Sequence, residues 1–375
     1  MTSLADLPIR DNLRGMTPYG APQSAVRIAL NVNENTHPVP PDVIAHVAAA
    51  VERELHGVNR YPDREFTVLR AHLASYLNSS RPGVNAPAGD ERERHALLSP
   101  EQIWAANGSN EVIQHILQAF GGPGRRVLGF PPTYSMHSII AAGTGTEWVA
   151  GERDPDFALS PETAVAAVRR TDPDIVFLCA PNNPTGTPLA RDTIAAVYEA
   201  TRGIVMVDEA YAEFMPVGQP DALSLLSGRE RLVVSRTMSK AFAFAGARLG
   251  YLAADPAVID ALRLVRLPYH LSALTQAAAV AALQYAPTML QTVDAIRGQR
   301  DRLVVELAQL GYAPYESWAN FVLFGGVSDP QAVFDHLLAN DILIRDVGLA
   351  NHLRVTAGTV NETTEFLEVL ARMKQ

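Results

Sequence analysis

The chain reads as an α/β protein with a mostly parallel central sheet flanked by helices and a smaller α+β domain at the C-terminal end. Short apolar, β-branched runs such as Asp174-Ile-Val-Phe-Leu-Cys-Ala180, Gly203-Ile-Val-Met-Val-Asp208 and Arg231-Leu-Val-Val-Ser-Arg236 alternate with stretches of helical period, which is the pattern of parallel strands buried on both faces. Each run ends in polar residues, at the carboxyl edge where open α/β sheets bind ligands. Beyond about residue 265 this alternation weakens, and a long helix around 287–309 leads to further strands. We therefore expect an arm over residues 1–35, a large domain over 36–265 and a small domain over 266–375.

Composition narrows the function. The 375 residues are 47% hydrophobic and 19% charged, as in an ordinary globular protein, and the net charge of -9 opposes non-specific nucleic-acid binding. The single cysteine, Cys179, excludes an intrachain disulfide and a cysteine-rich metal site; it sits in a buried-strand pattern and reads as core. No apolar run approaches the roughly 20 residues that span a bilayer, and the N-terminus shows no basic region followed by an apolar core, so we expect a cytoplasmic protein with no membrane partner.

Taken in order, the first residues are rich in Pro and Gly, and Val26–Leu30 reads as a short strand running into the polar turn Asn31-Val-Asn33-Glu34-Asn35-Thr36. Val43, Ile44, Val47, Val51 and Leu55 recur at helical spacing, and after Arg60-Tyr61-Pro62-Asp63 a second amphipathic helix runs through Tyr76. Residues 79–95 form the clearest loop, a surface excursion without a catalytic role. Ile103–Ala106, Gly108 and Ser109 read as strand, tight turn and helix start, where backbone N–H groups make a phosphate site although Ser is also a common cap. His115, inside that helix, reads as packed. Strand 126–130 leads to Pro131-Pro132-Thr133-Tyr134, whose aromatic can stack on a flat ring or simply fill a turn.

The remaining strands carry the chemistry. Strand 174–180 ends in Pro181-Asn182-Asn183-Pro184-Thr185-Gly186, strand 203–208 in Asp208-Glu209-Ala210-Tyr211, and strand 231–236 in Thr237-Met238-Ser239-Lys240, with Gly246 and Arg248 further on. A lysine among small apolar residues loses solvation of its charged form, so its pKa falls and its amine becomes a nucleophile able to form a Schiff base. Asn320–Phe324, Ile342–Arg345 and Leu353–Gly358 read as strands of the second domain, and the charges of Arg345 and Arg354 need anionic partners there.

Together these segments resemble fold-type I pyridoxal-phosphate (PLP) enzymes, specifically the aminotransferases, over almost the whole chain. The arm Thr17-Pro18-Tyr19-Gly20, the Asn33-Glu34-Asn35 loop with Thr36 where proline is usual, Arg60-Tyr61-Pro62-Asp63, and the pair Arg345 and Arg354 are similar to the histidinol-phosphate aminotransferase family. Val265–Ser272 and Arg236–Gly246 look like its actinobacterial branch. The resemblance implies transamination between L-histidinol phosphate and 2-oxoglutarate in histidine biosynthesis. It implies Lys240, Asp208 and Tyr211 as catalytic residues, with Ser109, Asn110, Tyr134, Asn183, Thr237, Ser239 and Arg248 around PLP. It further implies Tyr61 reaching the cofactor phosphate of a neighbouring subunit in a homodimer, Tyr19, Asn33, Arg345 and Arg354 on the substrate, and no metal. An aromatic amino-acid aminotransferase of the same fold is the near alternative. A PLP-binding transcription regulator would need a DNA-binding module for which residues 1–27 are too short. A PLP lyase or decarboxylase would differ in which α-carbon bond stands perpendicular to the ring, which residue types do not reveal.

Overall fold

The computed structural model describes residue 3 and residues 6–20, 24–80 and 97–373. Numbered along the chain, its strands are β1 (Ile28–Ala29), β2 (Ile103–Ala106), β3 (Arg126–Gly129), β4 (Glu147–Ala150), β5 (Ile175–Cys179), β6 (Ile204–Asp208), β7 (Leu232–Thr237), β8 (Gly250–Ala254), β9 (Ala313–Pro314), β10 (Phe321–Gly325), β11 (Ile342–Leu343) and β12 (Leu353–Thr356). Its α-helices are α1 (Pro41–Leu55), α2 (Thr67–Ser79), α3 (Ser109–Phe120), α4 (Met136–Thr144), α5 (Pro161–Thr171), α6 (Arg191–Ala200), α7 (Pro256–Val265), α8 (Ala273–Gln284), α9 (Ala286–Met289), α10 (Thr292–Gln309), α11 (Pro330–Ala339) and α12 (Val360–Arg372).

The main sheet has the order β2-β8-β7-β6-β5-β3-β4. Neighbours from β4 through β7 pair in parallel, and β8 is antiparallel to both β7 and β2. Every residue of β5, β6 and β7 is buried, because helices cover both faces of a sheet built from apolar, β-branched runs. Strand β8 was not read from the sequence: Gly-Tyr-Leu-Ala-Ala has little β-branched character, and its pairing on both sides overrides that local preference.

A second core lies around the antiparallel sheet β12-β10-β9 and helices α10, α11 and α12. It takes in Ile28 and Leu30 from the N-terminal stretch, where β1 pairs in parallel with β11. Leu271, Ala279, Ala282, Leu283, Ala286 and Met289 pack in the first core, so the chain changes cores between Met289 and Val293. Helix α8 makes that choice by packing on α1 and α2.

Some expected bounds are corrected. The long helix expected at 287–309 is two helices, α9 and α10. Arg345 lies beyond β11 and joins Arg354 through a single antiparallel bridge. Ser79 closes α2 and is not loop, while residues 81–95 of the expected excursion lie outside the described residues. His115 is buried within α3, where its Nδ1 accepts from Trp104 Nε1 at 3.1 Å.

Candidate active site

The carboxyl ends of β5, β6 and β7 open beneath the second core into a cavity of about 670 Å³. Tyr19, Asn33, Ser109, Asn110, Tyr134, Asn183, Asp208, Tyr211, Thr237, Ser239, Lys240, Arg248, Arg345 and Arg354 all line it. Tyr61 does not: it is 80% exposed, stacks on Tyr269 at 4.3 Å, and lines a separate cavity of about 370 Å³.

Lys240 follows β7 through the turn Met238–Ser239, and its Nζ donates to the Val32 carbonyl at 2.9 Å. Burial, then repulsion from Arg354 and Arg248 against the pull of Glu34, brings its pKa down to about 8. The amine is therefore far more often neutral than a surface lysine's.

Asp208 closes β6, opposite Cys179 in register and buried. Its Oδ1 accepts from the Ala210 amide at 3.2 Å and Ser235 Oγ at 3.4 Å, and its Oδ2 lies 3.3 Å from His137 Nε2. His137 is equally buried, edge-on to Tyr134 at 5.5 Å. The contact joins residues 71 apart in the chain, so no local pattern marks His137.

Tyr211 Oη accepts from Asn33 Nδ2 at 2.9 Å and Asn183 Nδ2 at 3.3 Å. Burial pushes the Tyr211 phenol well up, against the opposing charge of Arg354. Arg354 on β12 donates from Nη1 to Asn183 Oδ1 at 2.6 Å and from Nη2 to the Asn31 carbonyl at 2.8 Å. Its Nε is buried with no partner, and burial brings the guanidinium down to about 10. A buried cation with a donor left over is suited to an incoming anion. Arg345 stands nearer solvent, 5.9 Å over the Tyr19 ring.

At the other end of the cavity Gly108, at φ 86°, turns the chain into α3, where Ser109 begins the helix. A Cβ on Gly108 would collide with the Arg248 guanidinium, and one on Gly250 with the Ser109 amide nitrogen. Only glycine at these positions lets Arg248 and the helix start come together. Thr237 Oγ1 donates to Ser239 Oγ at 2.9 Å beside them, and Asn110 Oδ1 accepts from the Tyr134 hydroxyl at 3.2 Å. Hydroxyls, a helix N-terminus and a guanidinium make a phosphate cradle. That cradle, a low-pKa lysine and a buried carboxylate between them fit PLP. Among the described residues no His/Cys/Asp/Glu group could hold a metal ion.

The sequence model of the family "Aminotransferase class I and II" matches residues 26–370, and the chain belongs to that family. It is 59% identical over 367 residues to the histidinol-phosphate aminotransferase of Paenarthrobacter aurescens (97% of this chain, 94% of the relative). It is 54% identical to that of Thermobifida fusca (98% and 96%). Within the family, the chain falls among the histidinol-phosphate aminotransferases. The crystal structure of the Sinorhizobium meliloti histidinol-phosphate aminotransferase, in complex with pyridoxal-5'-phosphate, superposes with a TM-score of 0.83 over 98% of both chains at 24% identity. That likeness shows the fold, the fold-type I architecture of PLP-dependent transferases.

Proposed function

We propose that this chain is a PLP-dependent aminotransferase that moves the amino group of L-histidinol phosphate to 2-oxoglutarate, giving imidazole-acetol phosphate and L-glutamate, in histidine biosynthesis. Identity of 50–59% over nearly the full length to relatives of that name carries the choice of substrate. The site supports the chemistry. Bound PLP supplies an electron sink for charge developing at the substrate's α-carbon.

The chain's own residues do the rest. Ser109, Thr237, Ser239 and Arg248 bind the phosphate, and Asn110 fixes the hydroxyl of Tyr134 beside the ring site. Asn183 and Tyr211 would serve the phenolic oxygen, while Asp208, steadied by His137, would pair with the pyridine nitrogen. Lys240 would hold the cofactor, and its neutral Nζ would take the α-carbon proton of the substrate and return it as an acid. Arg354 anchors the anion common to both substrates, phosphate in one and carboxylate in the other, with Asn33, Tyr19 and Arg345 around it. Two substrates in turn at one site give ping-pong kinetics.

We further infer a homodimer in the cytoplasm. Tyr61 stacks on the 40% exposed Tyr269, and Val68, 62% exposed, lines the same cavity as Tyr61, outward apolar side chains that a second copy would cover. Among the described residues no helix is long and apolar enough to cross a membrane. Single half-reactions followed by the cofactor absorbance test the substrate. Faster conversion by histidinol phosphate than by phenylalanine is expected; the reverse order moves the chain to aromatic amino-acid transamination.

A further inference from the structure

Two consecutive non-glycine residues, Asp156 and Phe157, hold left-handed backbone with φ of 60° and 61°. Strain of this kind persists only where the surroundings impose it. The ring of Phe157, ahead of α5, meets Tyr315 just after β9 and His352 just before β12, with centroids at 5.0 and 5.8 Å. Tyr315 and His352 stack at 5.7 Å. His352 Nδ1 lies 2.6 Å from the Ala350 carbonyl and donates to it, so Nε2 accepts from the Tyr315 hydroxyl at 3.1 Å.

The other end of Phe157 is tied to the active-site loop. Its carbonyl accepts from Arg153 Nη1 at 3.1 Å and from Thr187 Oγ1 at 3.4 Å. The Thr187 carbonyl in turn accepts from the Asn182 amide at 2.9 Å, next to Asn183. His352 lies just before β12 and Arg354 within it, a spacing of two that puts side chains of an extended segment on one face. Arg354 donates to Asn183, which completes a closed circuit: Phe157, His352, Arg354, Asn183, Thr187 and back to Phe157. A second tie runs from the Trp318 amide, three residues past Tyr315, to the Gly186 carbonyl at 2.8 Å.

We propose that Phe157, Tyr315 and His352 form a positioning clasp that seats β12 against the Asn183 loop and thereby sets where Arg354 meets the substrate anion. None of the three lines the cavity, so they act through Arg354 and Asn183. The proposal rests on Arg354 being the anion anchor. An anchor that wanders weakens substrate and transition state alike, which raises KM and spares kcat.

The test is steady-state kinetics of the holoenzyme with histidinol phosphate and 2-oxoglutarate. Phe157→Ala should raise both KM values about two- to tenfold, the range an edge-on ring pair supports, with kcat within about twofold and the cofactor spectrum unchanged. Phe157→Tyr should restore both. A lowered Tm with unchanged KM would reduce the trio to ordinary packing and overturn the proposal. Should Phe157→Ala fail to fold, Tyr315→Phe deletes only the hydroxyl, and an unaltered KM there is equally decisive against it. Phe157→Leu combined with His352→Leu should give less than the product of the single effects, and full additivity counts against a shared clasp. Arg354→Met separates the two readings. Wild-type KM in that variant removes the anchor itself, whereas a raised KM there with wild-type behaviour in the Phe157 variants removes only the clasp.

Discussion

Lys240 carries a titration that can be read directly in the rate of cofactor uptake. Its pKa stands at about 8 against an ordinary 10.5, chiefly because the amine is buried and then because Arg354 faces it. At about pH 7.5 this leaves about a quarter of the amines neutral, where an ordinary lysine would have about one in a thousand. The apoprotein should therefore bind PLP with a rate that rises with pH and levels off above about 8, followed at the visible band of the lysine-bound cofactor. Arg354→Met should move the inflection up, and Glu34→Gln should move it down, since Glu34 is the charge that favours the protonated amine. Stability follows with a definite sign. Between about 8 and 10.5 the unfolded chain holds more protons than the native one, so apoprotein stability rises with pH across that window; below it the cost of the buried charge is fully present. Lys240→Met should thus stabilise the apoprotein at neutral pH by up to about 3 kcal/mol, less where cavity water screens the amine. An uptake inflection near 10 in the unaltered protein, or one that ignores Arg354→Met, would refute the reasoning.

Four further outcomes are expected. Arg354→Ala should slow both half-reactions by about ten- to a hundredfold, the worth of hydrogen bonds to a charged group, and normal turnover of both substrates would remove Arg354 from the anchor role. Gly250→Ala should weaken PLP binding, because its Cβ displaces the Ser109 amide; equilibrium dialysis of the cofactor measures it, and unchanged affinity would mean the phosphate sits elsewhere. Arg236 is buried among Glu209 at 2.8 Å, Glu213 at 3.7 Å and Asp221, so Arg236→Met should cost about 3–5 kcal/mol in denaturant unfolding by leaving buried carboxylates unpaired. Burial raises the Glu209 carboxyl above its ordinary range against the pull of Arg236, so the native state keeps its proton to higher pH and this group's contribution to stability declines as pH rises from the ordinary carboxylate range. Glu209→Gln should flatten that slope, measured as Tm against pH.

The parts of the site written as strand endings were legible in order along the chain. Asn183, Asp208 and Lys240 each follow an apolar run whose composition marks a buried strand, and the carboxyl edge of such strands is a fixed place in the sheet. His137 was not legible, since nothing local distinguishes a helical histidine that meets a carboxylate 71 residues away from one that packs. Nor was the buried charge cluster around Arg236, whose four members come from three segments, or the ring contacts of Phe157 with Tyr315 and His352.

By itself the sequence determined the alternation of strands and helices, the place of Lys240 beyond a strand's carboxyl end and the family resemblance, because period, turn residues and motif spacing are local properties. Tertiary structure decided the reversed strand β8, the passage from first to second core after Met289, and the meeting of Asn33, Tyr211, Asn183 and Arg354. Those depend on which surfaces bury one another across long separations, and a pairing energy between distant segments leaves no mark in either segment alone.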